Sequence, residues 1–569
     1  MRKRSIKIMK FHLAVLAVFC IPGAIVLAQT APVCSGTLVA WGNCDLAFGL
    51  APQDSPQAEL RAEFRSPRHK TYLLRAFRQD GQFVFRFAAT EPGVWDYRLT
   101  SSLLRLDGQT GKINAAESSS HGFVRTANLH HFATENIESN ASVAPHLWVA
   151  TEVDKFATMP RAEFDALVHQ RAQEGFTHAR IAIENSVNLV EAAERIRAIN
   201  SEGLIADLLL SDVPEAARER ERFIDDLVAR FCAFNMTWAG VRFAGGKTFE
   251  DQADSRALLK SVGELIQRFD PYGHPRTTVA NATSASLVND GWMNVLTYGT
   301  SDVHIGSVEH QLFQLPALNS GIRNQKDLWN ATMNGQYPAA GSGAYIKVWA
   351  DFLAQSRYWE LEPYFDVDGG RAIALDGTEY IVYVEKPGPV ELTVENHNYD
   401  VVWMNPANGE TVKQKDYKGE HFTGEPPDKL HDWVLRVSRE GRKEGMKSYK
   451  FTSRDAPLVQ DVEQNPLKVP FDVTSPNGAE ISMSKPGNFT LKAKRDTRAT
   501  RSLLVEWTAE VVLEGTGYRV AGTGKEGTLN LPAALLQGKK FPAVLSLRVA
   551  FLNANGKAYT LDKAFRLVP

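Results

Sequence analysis

Early in the chain, apolar residues alternate with long polar ones in short runs. Ala58–Phe64 (AELRAEF), Thr71–Phe77 (TYLLRAF) and Gln82–Phe87 (QFVFRF) show this pattern, with turns at Gln79-Asp80-Gly81 and Glu91-Pro92-Gly93. A period of two marks half-buried strands, and short strands at this spacing predict a β-sandwich over residues 32–128.

The period changes near His146, where strand-like and helix-like runs begin to alternate. The strand-like runs are His146–Val153, Thr177–Ile183, Leu204–Leu210, Met236–Phe243, Arg276–Ala280, Met293–Tyr298, Pro316–Asn319 and Tyr337–Gly341. Helices are predicted over Pro160–Gly175, up to Arg197, and over Glu215–Phe231, Ser255–Phe269 and Ile346–Leu361. The first has Pro in its opening turn and Gly at its end. Strand–helix alternation implies parallel strands joined by crossover helices, and this many units over residues 140–362 predicts a compact (β/α)8 TIM-type barrel.

From Phe365 the helical period disappears. Arg371–Leu375, Glu379–Val384, Val390–Val394, Val401–Met404 and Trp433–Val437 read as strands of a β-sandwich over residues 365–454. A linker follows at Asp455–Pro466, and residues 466–569 predict a last, immunoglobulin-like β-sandwich. The expected fold class is therefore multidomain, with a central TIM-type barrel flanked by β-sandwich domains.

The N-terminus changes the picture of where this fold works. Arg2, Lys3, Arg4, Lys7 and Lys10 precede an apolar run over Phe11–Leu27, and Val26-Leu27-Ala28 offers a small-residue cleavage site before Gln29. This is the layout of an export signal over residues 1–28, implying a secreted or periplasmic protein. An uncleaved anchor is the rival reading, which Pro22 and Gly23 disfavour, and no transmembrane segment is expected after signal cleavage. Export would let Cys34 and Cys44 form a disulfide, while Cys232, in an apolar helical stretch, reads as a buried thiol.

Charge and motifs exclude several function classes. The net charge of −2 over 569 residues offers no field for nucleic acid or an anionic surface. No CxxC, HExxH or Cys/His cluster occurs, and Glu309-His310 has no second histidine at metal spacing, so neither a metal nor a cofactor is expected. Gly240–Thr248 approximates a phosphate loop with one residue too many, and Asp366–Gly370 begins like a calcium loop without the later ligands.

Several segments together resemble a known family. Phe85-Arg86-Phe87 with Glu91–Tyr97 is similar to the N-terminal sandwich module that precedes many bacterial glycosidase barrels. Phe234–Trp238, Asp270–Pro275 and Leu328-Trp329 with Met333-Asn334-Gly335 resemble barrel segments of the apiosidase-like glycoside hydrolases. Tyr380–Tyr383, Trp403–Pro406 and Gly409-Glu410 are similar to the small collagen-binding-type sandwich of the same proteins. The resemblance spans roughly Pro32–Arg454 and implies a secreted protein with a carbohydrate substrate or ligand, either polysaccharide or glycoconjugate.

Glycoside hydrolysis needs two carboxyl groups flanking the scissile bond, and in a barrel they stand at the C-terminal ends of strands. The resemblance places them after the fourth and seventh strands. Here the chain reads Val241–Phe249 and Pro316–Asn324, neither of which contains an acid. Glu184 and Asp302, supported by Glu250, are the candidates for a relocated catalytic pair. Their structural readings are a charge near a helix start, a turn residue and a solvated loop residue, respectively. Glu152, Asp154 and Asp212 also follow strands. Trp238, Tyr298, His304 and Asn319 are candidates for holding a sugar, while Trp148 reads as core. Two classes stay open: a glycosidase with relocated acids, and an inactive barrel that binds carbohydrate or serves as a surface scaffold.

Overall fold

In the computed structural model the described residues are 34, 38–135, 143–251, 255–303, 305–439, 462–463, 468–476, 478–482, 487–495, 503–513, 516–529, 543–553 and 558–568. The export segment, His304 and most of the linker at 455–466 lie outside them.

Two sheets open the fold, antiparallel except where Leu38–Val39 runs parallel to Thr110–Ala116. Leu38–Val39, Thr110–Ala116, Gly93–Ser101, Leu60–Arg65 and Thr71–Arg75 lie in that order in one, and Asn43–Gly49, Gln82–Ala88 and Phe77–Gln79 in the other. Leu60–Arg65 alternates strictly between buried and exposed positions, as a strand with one covered face must. Phe64 stacks on Phe87 at 4.4 Å between ring centroids, and Trp95 meets Phe87 edge-on at 5.1 Å.

Parallel strands and helices follow. They are β1 (Ala150–Glu152), α1 (Arg161–Gln173), β2 (His178–Glu184), α2 (Leu189–Ser201), β3 (Ile205–Ser211), α3 (Ala217–Phe231) and β4 (Met236–Val241). After α4 (Ser255–Phe269) come β5 (Leu296–Tyr298), α5 (Ser307–Leu312), β6 (Ala317–Asn319), α6 (Gln325–Thr332), β7 (Gln336–Pro338) and α7 (Tyr345–Leu353). β1-β2-β3-β4 form one parallel sheet and β5-β6-β7 another. Among the described residues they are not joined in one continuous ladder. The run expected as a fifth strand, Arg276–Ala280, forms no continuous strand: it bridges Trp238 at Arg276, where the Thr277 N–H donates to the Trp238 carbonyl at 2.9 Å, and the Arg276 carbonyl accepts the Val295 N–H at 3.2 Å. Next door, the register between β3 and β4 shifts after Leu208. Gly240 has φ +86° there, and a Cβ on it would stand 2.4 Å from the Thr278 Cα. This close backbone approach replaces regular pairing.

β3 has two different faces. Leu208 and Leu210 join the core shared with the helices, while Leu209 packs with Ala239 and Val279 in a separate cluster. Helix starts are locally specified, since the Asn188 side chain accepts the Val190 and Glu191 N–H groups at the head of α2.

Beyond α7, a seven-stranded antiparallel sheet is built on Glu379–Val384, Trp433–Arg439 and Val390–Met404. Two separate strands were expected across 390–404, but one continuous strand forms. It absorbs the polar stretch between Thr393 and Val401 through register shifts rather than a break. The C-terminal residues form two further sheets around Phe471, Trp507 and Phe551.

The first sheets, the parallel region and part of the seven-stranded sheet share one hydrophobic cluster, running from Leu38 to Ile381, Tyr383 and Val434. Polar ties reinforce it. The Tyr272 hydroxyl accepts from the Ala88 N–H at 2.9 Å and donates to the Ala88 carbonyl at 3.1 Å. Arg86, paired with Asp45, donates to the Arg230 carbonyl at the end of α3. No described helix is long and apolar enough to cross a membrane.

Candidate functional site

Parallel strands send their carboxyl ends, and the loops after them, to one side, where side chains from distant strands converge. Arg242 follows β4 immediately, and its Nη1 donates to Oε1 of Glu152, the last residue of β1, at 2.7 Å. Their side chains are 34% and 33% exposed, so the pair is open to solvent. Burial pushes the Glu152 pKa up, but the Arg242 hydrogen bond and charge, with help from Arg180, outweigh it and hold the carboxyl below its usual range. Beneath the pair lies a sealed polar layer. Arg180 Nε donates to Asp207 Oδ2 at 2.8 Å, and Thr237 Oγ1 donates to Asp207 Oδ1 at 2.7 Å.

Asn319 ends β6, the run expected as the seventh strand. Its Nδ2 donates to the Thr300 carbonyl at 3.0 Å and to Gln336 Oε1 at 2.8 Å, while its Oδ1 accepts the Gly321 N–H at 2.7 Å. With both amide ends engaged and 4% exposure, this side chain ties loops together.

The three candidate acids stand in different surroundings. Glu250 is buried and accepts the backbone N–H groups of Asn281, Ala282 and Thr283, bracing the loop before β5. Asp302 accepts the Thr523 hydroxyl of the C-terminal sheets at 3.2 Å. Glu184 is exposed at the end of β2, outside the first turn of α2 and without a side-chain hydrogen bond among the described residues. The structure therefore brings Glu152, rather than one of these three, to Arg242.

The candidate sugar-holding rings are enclosed. Trp238 is 1% exposed and donates Nε1 to Asp270 Oδ2 at 3.1 Å. Tyr298 is equally buried, and burial pushes its phenol far up, aided by the charges of Glu309 and Glu506. Trp148 stacks on His178 at 3.6 Å inside the core. In this conformation neither Trp238 nor Tyr298 offers an open ring face. Cys34 and Cys44 are joined by a disulfide, and Cys232 is buried and free.

Two further groups were not visible in the sequence. A cleft of about 500 Å³ separates α5 from the C-terminal sheets and is lined in part by Arg256, Glu309, Glu506, Arg548 and Lys563. Glu506 Oε1 accepts the Gly306 N–H at 2.6 Å and the Val308 N–H at 3.4 Å, capping α5 from another part of the chain. Burial, and then the neighbouring charge of Glu309, push the Glu506 carboxyl well above its usual range. The second group is His130, His310 and Glu362, whose ligand atoms lie within 4.8 Å of one another and offer a metal-compatible donor set. It lies where α5 meets the turn before His131 and the strand Glu362–Tyr364 of the seven-stranded sheet. His130 and Glu362 are 232 residues apart, so no local spacing signals the group.

No family model matches the chain, and no curated protein is similar to it in sequence. Among solved structures it is similar to a candidate glycoside hydrolase from Bacteroides vulgatus, with a TM-score of 0.59 at 14% identity over 71% of this chain and 99% of that one. A glycoside hydrolase at 12% identity has a TM-score of 0.48 over 56% of this chain and 97% of its own. A family 5 glycoside hydrolase from Bacteroides vulgatus, also at 12% identity, has a TM-score of 0.48 over 59% and 96% of the respective chains. The first of these likenesses establishes a glycoside-hydrolase-like fold.

Proposed function

We propose that the chain is an exported, glycoside-hydrolase-like protein that binds carbohydrate at the loop ends of a (β/α)-barrel and does not hydrolyse it. The observation that carries this reading is the Arg242–Glu152 ion pair. Hydrolysis asks for one carboxylic acid and one carboxylate roughly 5–10 Å apart and facing one cleft. Where the resemblance implies an acid after the fourth strand, the chain has a cation, and that cation engages the nearest carboxylate and keeps it ionised. Asn319 likewise spends its amide on loop contacts. Glu152 and Glu184 at the ends of β1 and β2, with Arg242 just after β4, suit hydroxyl-rich ligands, and the glycoside-hydrolase-like fold supports the ligand class.

The test joins a glycan array to a panel of glycosidase substrates, using wild type, Glu184→Gln and Asp302→Asn. Binding without turnover is the expected result. Turnover by wild type that is lost in both variants would overturn the proposal in favour of a relocated catalytic pair.

A further inference from the structure

His130, His131, His310 and Glu362 come from three segments: a turn running into the strand His131–Glu135, α5, and the strand Glu362–Tyr364 of the seven-stranded sheet. His130 Nδ1 lies 3.0 Å and 3.1 Å from the two oxygens of the Glu362 carboxylate. His310 Nε2 bonds one of those oxygens, and His131 Nε2 lies 3.4 Å from the other. The His130 and His310 rings overlap with centroids 3.8 Å apart. All three histidines are at most 3% exposed.

From this geometry we propose that His130, His310 and Glu362, with His131 as a fourth donor, form a binding site for a divalent transition-metal ion, zinc fitting best. Imidazole nitrogens with one carboxylate and no thiolate are a donor set suited to zinc.

A hydrogen-bonded cluster alone explains the arrangement poorly. One carboxylate balances one imidazolium, yet three buried imidazoles converge on it. The His131 Nε2 has no hydrogen bond although it is enclosed, and this nitrogen points at the same carboxylate. A dication would satisfy every one of these lone pairs.

For His130 and His131, though not for His310 with its enclosed and unbonded Nδ1, the surroundings also resemble those of metal-binding histidines, whose outer nitrogen is fixed by an oxygen. His130 Nε2 sits 3.1 Å from the Phe313 carbonyl, which selects the tautomer with Nδ1 free to ligate. His131 Nδ1 is 2.6 Å from the Tyr337 hydroxyl. Backbone strain serves the same end. Asn128 and Leu129 have φ of 44° and 64°, and this left-handed turn lets two successive histidines address one point rather than opposite faces. A Cβ on Gly335 would stand 2.6 Å from the His310 ring, so glycine there makes room for it. Glu362, 34% exposed, supplies the route in. Such an ion would clasp the three segments together, adding its binding energy to folding.

The experiment uses the full chain stripped with a chelator and then titrated with Zn²⁺ against a chromophoric competitor, with Co²⁺ as a spectroscopic substitute. The expected result is one ion per chain, a Co²⁺ spectrum of nitrogen and oxygen ligation, and a higher unfolding temperature with zinc. His310→Asn and Glu362→Gln should abolish all three. Tyr337→Phe should lower affinity about tenfold or more by freeing His131. His169→Asn, on the exposed face of α1, should leave binding unchanged. Should His310→Asn fail to fold, wild type and Tyr337→Phe still decide the matter. Absence of zinc binding by the stripped wild type, or equal affinity in Tyr337→Phe and Glu362→Gln, would overturn the proposal.

Discussion

Arg242 and Glu152 bond at 2.7 Å although Glu152 ends and Arg242 follows the two outer strands of the four-stranded sheet β1-β2-β3-β4. The pair spans the loop side of the sheet and holds the Glu152 carboxyl in its ionised form.

Because both partners are about one-third exposed, Arg242→Met should cost only about 0.2–1 kcal/mol in urea unfolding. Its clearer effect should be electrostatic. The lowered Glu152 pKa contributes stability above the ordinary glutamate range, and that contribution fades as pH falls through the depressed value. In Arg242→Met the Glu152 titration, read by NMR, should move upward, and glycan affinity should fall.

Deeper in, Arg180 and Asp207 are 2% and 0% exposed. Arg180→Met leaves a buried carboxylate without its cation and should cost about 3–5 kcal/mol. Arg180→Met combined with Asp207→Leu should recover much of that loss. Denaturant titration of the two variants measures the difference.

Asp270 holds a turn together. Its carboxylate accepts the N–H groups of Tyr272, Gly273 and His274 and the Trp238 indole. Burial raises its pKa, but the His274 charge and these bonds prevail, leaving it below the usual range. Stability from this group is complete above the ordinary aspartate value and is lost as pH falls through the depressed one. Asp270→Asn should cost about 3 kcal/mol at neutral pH and flatten the acid limb of a stability–pH profile.

Glu506 titrates in the opposite sense. Its folded pKa is raised, so its contribution is complete below the ordinary glutamate range and is lost as pH rises toward the raised value. Glu506→Gln should remove this dependence and firm the seating of α5 at neutral pH. Hydrogen exchange of residues 307–312 at two pH values reads the effect.

Local period made the secondary structure legible. The helix read over Ser255–Phe269 is α4 to the residue, and β2 and β3 begin within one position of their predicted starts. The run Arg276–Ala280 misled because its apolar and threonine residues fit a strand, while the Gly240 approach that prevents pairing lies in its neighbour. The site was legible chiefly as a departure, since Arg242 and Asn319 stand where acids were expected. What they touch was not, because Glu152 is 90 residues from Arg242 and Glu506 is 200 from Gly306. Trp238 and Tyr298 illustrate another limit. Position near a strand end is readable, but the face a side chain takes changes with a single-residue shift.

The shared hydrophobic cluster carries a last consequence, visible only to heat. Four segments can be marked out along the chain, but the first sheets, the parallel strands and one face of the seven-stranded sheet are bound by one core, that sheet carries a second cluster on its other face, and the C-terminal sheets have their own. A scanning calorimeter should therefore record one large transition and one small one rather than one per segment. Cutting the chain near residue 128 or 365 would tear apolar surface open instead of releasing a self-sufficient part.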